Sequence, residues 1–125
     1  PCIYYGTELE LGGGMDPDCR RVMPWDRVSN DNDMLNFMKN LIQLRKDVAD
    51  IIQHGKFTLE EIAPDVLVLE WEHDHQAIRA VFNQSKENYL LDRDSADLVS
   101  QCQTDDQQLV ILPKGFVVYC DESKR

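Results

Sequence analysis

The sequence has 125 residues, about the length of one domain. Its 42% hydrophobic and 29% charged side chains are the balance of a globular chain, not a disordered one. With 13 basic and 23 acidic residues its formal charge is -10, which argues against a nucleic-acid partner, because phosphate backbones are bound through clustered Lys and Arg.

The chain opens at Pro1, without a Met, on the apolar run Cys2–Tyr5 closed by Gly6. A short continuous run of this kind reads as a fully buried parallel strand, so the chain is expected to be a piece of a longer protein that starts at or inside a buried element. Residues 6–30 show no periodicity and hold Gly12-Gly13-Gly14, Asp16-Pro17-Asp18, Arg20, Arg21, Pro24 and Trp25 in succession. An irregular stretch of this length in a compact domain usually means a functional loop or disorder. Asp31 then opens a predicted helix to His54, with Leu35, Met38, Leu41, Ile42, Val48 and Ile52 at helical spacing and Phe37 and Leu44 widening the stripe. Asn30 or Asp31 is its expected N-cap and Gly55 its C-terminal cap.

After Gly55 the period changes to two. Val66–Trp71 places Leu67, Leu69 and Trp71 on one face, and Ala77–Phe82 does the same for Ile78, Ala80 and Phe82. Glu72-His73-Asp74-His75 reads as the hairpin loop between them, and the company Trp71 keeps assigns it to the core. Leu109–Leu112 and Phe116–Cys120 flank Pro113-Lys114-Gly115, a turn signal, and form a second hairpin. With shorter strands at Phe57–Ile62, Tyr89–Leu91 and Leu98–Gln101, the expectation is an antiparallel β-sandwich of roughly six to eight strands.

The fold class expected is therefore mostly β. Residues 1–55 form one βα unit of strand, long loop and helix, and residues 56–125 form the sandwich. In parallel α/β folds the loop after a strand lines the active site. A single unit cannot cover both faces of its strand, so residues 1–55 read as the last unit of a larger, incomplete α/β domain. In the loop, Asp16, Asp18, Arg20, Arg21 and Trp25 are the densest polar and aromatic group of the chain. Carboxylates and guanidinium groups can hold sugar hydroxyls and an indole can support a pyranose face; equally, the carboxylates can simply pair with Arg20 or Arg21 across a turn.

Other chemistry finds less support. His73 and His75 are two imidazoles without a third donor, so no metal site is expected. Cys2, Cys19, Cys102 and Cys120 include no CxxC pair, which argues for free thiols in a reducing compartment rather than zinc or a disulfide framework. Gly12-Gly13-Gly14 lacks the ending of a phosphate loop, and no serine stands in a nucleophile motif. No cofactor is expected. No apolar run approaches the roughly eighteen residues of a membrane span, and the N-terminus lacks the regions of a secretory leader, so the expected location is cytoplasmic without membrane contact.

The segment Pro1-Cys2-Ile3-Tyr4-Tyr5-Gly6-Thr7-Glu8, followed by Gly13-Gly14-Met15-Asp16-Pro17-Asp18-Cys19-Arg20-Arg21 and Trp25-Asp26, resembles the end of the catalytic barrel in the α-amylase superfamily (glycoside hydrolase family 13). It is most similar to the neopullulanase, cyclomaltodextrinase and maltogenic amylase group. Leu41-Ile42-Gln43-Leu44-Arg45 resembles that family's last barrel helix. Val81–Ser85 and Leu112–Val118 resemble strands of its C-terminal sandwich, which packs on the barrel.

The resemblance implies that the first unit ends a (β/α)8 barrel and that Asp16 and Arg20 hold a glucose unit on the non-reducing side of the cleaved bond. It also implies a parent that is a retaining hydrolase of α-1,4-glucosidic bonds in maltodextrins, cyclodextrins or pullulan. Such enzymes use two carboxyl groups about 5 to 5.5 Å apart, and in this family these sit on barrel strands before the eighth. None of those strands lies within these 125 residues. The chain by itself is expected to be inactive, to meet α-glucan through the upstream barrel, and either to self-associate through the apolar surface of residues 1–54 or to leave that segment disordered. The other expectation, from a different class, is a non-catalytic sandwich module that binds carbohydrate or protein.

Overall fold

A computed structural model describes residues 2–92, 99–100, 102–105 and 108–122, with strand residues 99–100, 102–105 and 121–122 given by their backbone alone. The chain divides into two compact units, Pro1–Gln43 and Leu44–Arg125.

In the first unit the expected strand over Cys2–Tyr5 is not formed, and Ile3, Tyr4 and Tyr5 are exposed. The physical reason is the absence of a neighbour: a strand exists by pairing, and no described segment lies alongside to pair with it. Gly6 turns the chain in a left-handed conformation (φ 84°). Its carbonyl accepts from the amides of Leu9 and Leu11 at 3.0 and 2.9 Å. A Cβ there would lie 2.6 Å from Leu11 Cδ2, so glycine is required on both counts. The short 3-10 turn Thr7–Leu9 buries Leu9. Arg27, at the end of a second 3-10 turn over Trp25–Arg27, donates from Nη1 to the carbonyls of Leu9 and Glu10 at 3.2 and 3.3 Å. Those bonds close the long loop on itself.

Helix α1 runs Asp33–Asp47 and α2 runs Ala49–His54. The N-cap is Asn32 rather than Asn30 or Asp31: its Oδ1 accepts from the Leu35 amide at 2.9 Å. The two predicted caps are instead held in the turn before it, where the Asn32 amide donates to the Ser29 carbonyl and Asn36 Nδ2 to that of Asn30. The expected single helix is distorted at Val48 (φ -106°, ψ 18°), yet the amides of Val48 and Ile52 still bond the carbonyls of Leu44 and Val48. Val48 is β-branched and packed with Ile51 and Ile78, so its backbone follows the packing rather than ideal helix geometry. Gly55 ends α2 in an extended conformation, not a left-handed one. Its glycine is needed for close approach, because a Cβ would lie 2.2 Å from the Ile51 carbonyl oxygen and 3.0 Å from that of Glu72.

The second unit contains the expected sandwich. Strands β1 (Lys56–Ala63), β2 (Val66–His73), β3 (Gln76–Asn83), β4 (Tyr89–Asp92), β5 (Val99–Ser100), β6 (Cys102–Asp105), β7 (Gln108–Ile111) and β8 (Phe116–Glu122) form two antiparallel sheets. Their orders are β1-β2-β3-β8-β5 and β4-β7-β6. Leu98 and Gln101, the ends of one predicted strand, lie outside the described residues. The β2–β3 hairpin is tighter than expected: His73 and Gln76 pair, leaving only Asp74 and His75 in the turn, both at positive φ (47° and 67°) as two-residue hairpins require.

Between the sheets, Val66, Val81, Val117 and Tyr119 meet Leu109 and Ile111. Trp71, expected in the core, packs instead in a second cluster with Val48, Ile51 and Ile78. Register pairs Leu67 with Phe82, Leu69 with Ala80 and Trp71 with Ile78, which places that set on the outer face of the larger sheet. Both faces are apolar, so a period of two could not say which one points inward. Helix α2 covers one end of the outer face by packing Val48 and Ile51 against Ile78, Trp71 and Cys120.

Asn83 locks one end of the sandwich. It is 0% exposed, and its Nδ2 donates to the carbonyls of Glu87, Ile111 and Leu112 at 2.8, 2.8 and 3.2 Å. Its Oδ1 accepts from the amide and hydroxyl of Ser85 at 3.0 and 2.6 Å. The resemblance segment Val81–Ser85 thus carries an amide whose hydrogen bonds join β3 to the end of β7.

Candidate functional site

The loop places Asp16 and Arg20 side by side. The Asp18 amide donates to the Met15 carbonyl at 2.8 Å and the Arg20 amide to that of Pro17 at 2.9 Å, so two successive turns, with a cis Asp16–Pro17 bond, bring the side chains together. Arg20 Nε lies 2.9 Å from Asp16 Oδ1, and Arg20 Nη2 donates to Asp16 Oδ2 at 3.2 Å. The fork is open to solvent, with side-chain exposures of 61% for Asp16 and 70% for Arg20.

Asp18 and Arg21 form a second fork with three N···O distances of 2.8 to 3.0 Å. The Arg21 hydrogen bond, followed by its charge, holds the Asp18 carboxyl below the ordinary carboxylate value. Gly14 makes room for this pair, since a Cβ there would sit 3.0 Å from Asp18 Oδ2. Tyr5 donates its hydroxyl to the Arg21 carbonyl at 2.7 Å and ties the loop to the start of the chain. Trp25 is 72% exposed and free to act as an apolar platform.

Chemically, the loop can bind but cannot act as an acid. A general acid at neutral pH needs a carboxyl raised by burial or by a like charge. Here both carboxylates are exposed and paired with guanidinium groups. Exposed ion pairs of this kind are screened by solvent and contribute little, so the Asp16–Arg20 fork opens readily to a ligand that offers better hydrogen bonds.

The second unit holds two further polar groups. A cavity of about 430 Å³ on the inner face of β1–β3 is lined by Thr58, Glu60, Ile62, Val68, Leu91 and Tyr119, with the Glu70–Arg79 ion pair in its wall. Burial works against the charge on Arg79, but the Glu70 partner raises its pKa on balance. The other group is Asp50, His54 and His73, whose ligand atoms all lie within 4.8 Å of one another. Sequence reasoning paired His73 with His75 and missed it. Asp50 and His54 are a visible i, i+4 pair on a helix, but His73 joins them only through tertiary packing, while His75 is carried into the turn.

No protein-family model matches the chain. It is 40% identical over 86 residues to the intracellular maltogenic amylase of Bacillus subtilis strain 168, an alignment covering 67% of this chain and 15% of that protein. It is 38% identical over 94 residues to a cyclomaltodextrinase of a Bacillus species, covering 73% and 16%. The crystal structure of the maltogenic amylase from S. marinus superposes over 97% of this chain and 17% of its own, with a TM-score of 0.77 at 29% identity. The chain belongs to the maltogenic amylase and cyclomaltodextrinase group of the α-amylase superfamily.

Its strands match the C-terminal domain of glycoside hydrolase family 13 amylases. The chain spans about 15% of the length of the curated relatives it matches. Among the described residues no helix is long and apolar enough to cross a membrane.

Proposed function

We propose that the chain is the C-terminal part of a cytoplasmic retaining α-glucan hydrolase acting on α-1,4-glucosidic bonds in maltodextrin, cyclodextrin or pullulan. Residues 1–55 are the terminal βα unit of its barrel and residues 56–125 its C-terminal sandwich. Asp16 and Arg20 bind a glucose unit beside the cleaved bond. The observation that carries this reading is the solvent-open Asp16–Arg20 fork in a chain 40% identical to a maltogenic amylase. One planar carboxylate and one planar guanidinium offer acceptors and donors side by side, which suits vicinal hydroxyls. The catalytic carboxylates belong to the upstream barrel, and this chain alone does not hydrolyse glucan. The exposed Ile3, Tyr4, Tyr5, Val22, Val28 and Ile42 of the first unit favour self-association wherever no other apolar surface covers them.

The test is a graft of residues 12–27 into the Bacillus subtilis maltogenic amylase. The grafted enzyme should still hydrolyse maltodextrin, while Asp16→Ala or Arg20→Ala in the graft raises KM by about tenfold or more, the worth of a charge-assisted hydrogen bond. Unchanged KM in both variants would remove the substrate role.

A second reading, a non-catalytic module that binds carbohydrate or protein through the sandwich, draws on Phe57. Its ring is half-exposed on the outer face, with its centroid 4.9 Å from that of Trp71. Loss of maltoheptaose binding in Phe57→Ala but not in Asp16→Ala would favour this reading over the first.

A further inference from the structure

The end of helix α2 and the end of strand β2 converge on three ligand-type side chains. Asp50 and His54 stand one turn apart on α2, and His73 is the last residue of β2. His54 Nδ1 lies 3.0 Å from Asp50 Oδ1, and His73 Nε2 lies 3.7 Å from Asp50 Oδ2. The two imidazole centroids are 5.7 Å apart, so one carboxylate reaches both rings, one with each oxygen. Asp74, whose Oδ2 lies 3.6 Å from His73 Nε2, is a fourth ligand-type side chain within reach.

We propose that Asp50, His54 and His73 form a binding site for a divalent ion of the zinc type. The site rests on three features of the molecule. The first is spacing: a tetrahedral ion with bonds of about 2.0 to 2.1 Å spaces its donors by about 3.3 Å, and one ligand atom from each of the three side chains lies within 4.8 Å of the other two, close enough for small side-chain rotations to complete the set. The second is chemistry. Two imidazole nitrogens with one carboxylate suit zinc, nickel, cobalt or copper, whereas calcium and magnesium prefer all-oxygen sets. The third is support from the scaffold. Val48 and Ile51 seat α2 against Ile78 and Trp71, and Gly55 lets the helix end approach the Glu72 carbonyl, next to His73, without a Cβ in the way. Ligands carried on packed elements need only side-chain rotation to close on an ion. His54 and Asp50 are largely open to solvent and His73 is half-buried, so the site has an entry path and room for a bound water. The ion would pin α2 to the β2–β3 hairpin and act as a cross-link. It would have no part in the chemistry on glucan.

The test is calorimetric titration of the metal-free chain with ZnCl2, beside His54→Gln, His73→Gln and His75→Gln. The expected result is saturable binding of one ion, weakened at least tenfold by either of the first two changes and unaltered by the third, with no competition from millimolar Ca2+. Should a variant fail to fold, ring-nitrogen NMR of the unaltered chain decides: zinc should shift His54 Nδ1 and His73 Nε2 and leave His75 in place. Absence of saturable binding would overturn the proposal and leave the cluster as a hydrogen-bonded helix end. So would equal binding by all variants, which would mark thiol ligation, or zinc shifts confined to His75.

Discussion

The two units bury their apolar side chains very differently. Leu44–Arg125 encloses Val66, Val81, Ile111 and Val117 between two sheets and fixes one end with the fully bonded Asn83. Among the described residues of Pro1–Gln43 only Leu9 is a fully buried large side chain, while Ile3, Tyr4, Met15, Val22, Trp25 and Val28 face outward. Both units carry apolar sequence; what separates them is whether the chain also supplies the opposing surface. The sandwich is self-sufficient because each sheet covers the other, whereas the first unit is held chiefly by loop hydrogen bonds such as Arg27 to Leu9 and Tyr5 to Arg21.

That contrast can be broken most forcefully at Asn83. Asn83→Ala removes the three hydrogen bonds that Nδ2 donates and the two that Oδ1 accepts, and should cost about 3 to 5 kcal/mol in urea unfolding of the sandwich. A loss below about 1 kcal/mol would mean that this end of the sandwich is not closed as described.

Next comes a matched pair. Ile111→Ala should cost about 2 to 5 kcal/mol through lost burial and the cavity it leaves, whereas Val22→Ala, at an exposed site, should stay within about 0.5 kcal/mol. Similar losses for the two would erase the difference between the units. A smaller effect sharpens the picture inside the first unit: Asn32→Ala removes the cap of α1 and should cost about 1 kcal/mol of helix stability, read by circular dichroism.

The smallest effect concerns the loop forks. Asp18 has its pKa depressed by Arg21, so its contribution is present above the ordinary value and is lost as pH falls through the lower folded value. Carboxyl NMR should place its midpoint below 3.8, and Arg21→Gln should return it toward that value. An unshifted midpoint would mean the fork does not persist in solution.

Much of this was legible in the sequence because local signals and the fold agree. The turn over Pro113-Lys114-Gly115, the hairpin between Trp71 and Ala77 and the helix ending at Gly55 all appear within a few residues of their predicted places. The loop forks were also legible as alternatives, since Asp16 and Arg20 are close in sequence. What was not legible depended on partners distant along the chain. Cys2–Tyr5 has the composition of a strand but, among the described residues, no strand beside it. Leu67, Leu69 and Trp71 alternate like an inner face, yet Val66 and Val68 point between the sheets, because both faces of β2 are apolar. His73 meets Asp50 and His54 only because α2 packs across β2 and β3.

The difference at issue is that the sandwich covers its own apolar faces while residues 2–43 leave Ile3, Tyr4, Val22 and Val28 exposed. Residue-resolved amide hydrogen exchange of the chain tests it most directly. Strong, uniform protection is expected for Val66, Val81, Ile111 and Val117, set by global unfolding, with fast exchange over Ile3–Tyr5 and Val22–Val28. Protection of those first-unit amides equal to that of the sandwich in a monomeric sample would contradict it.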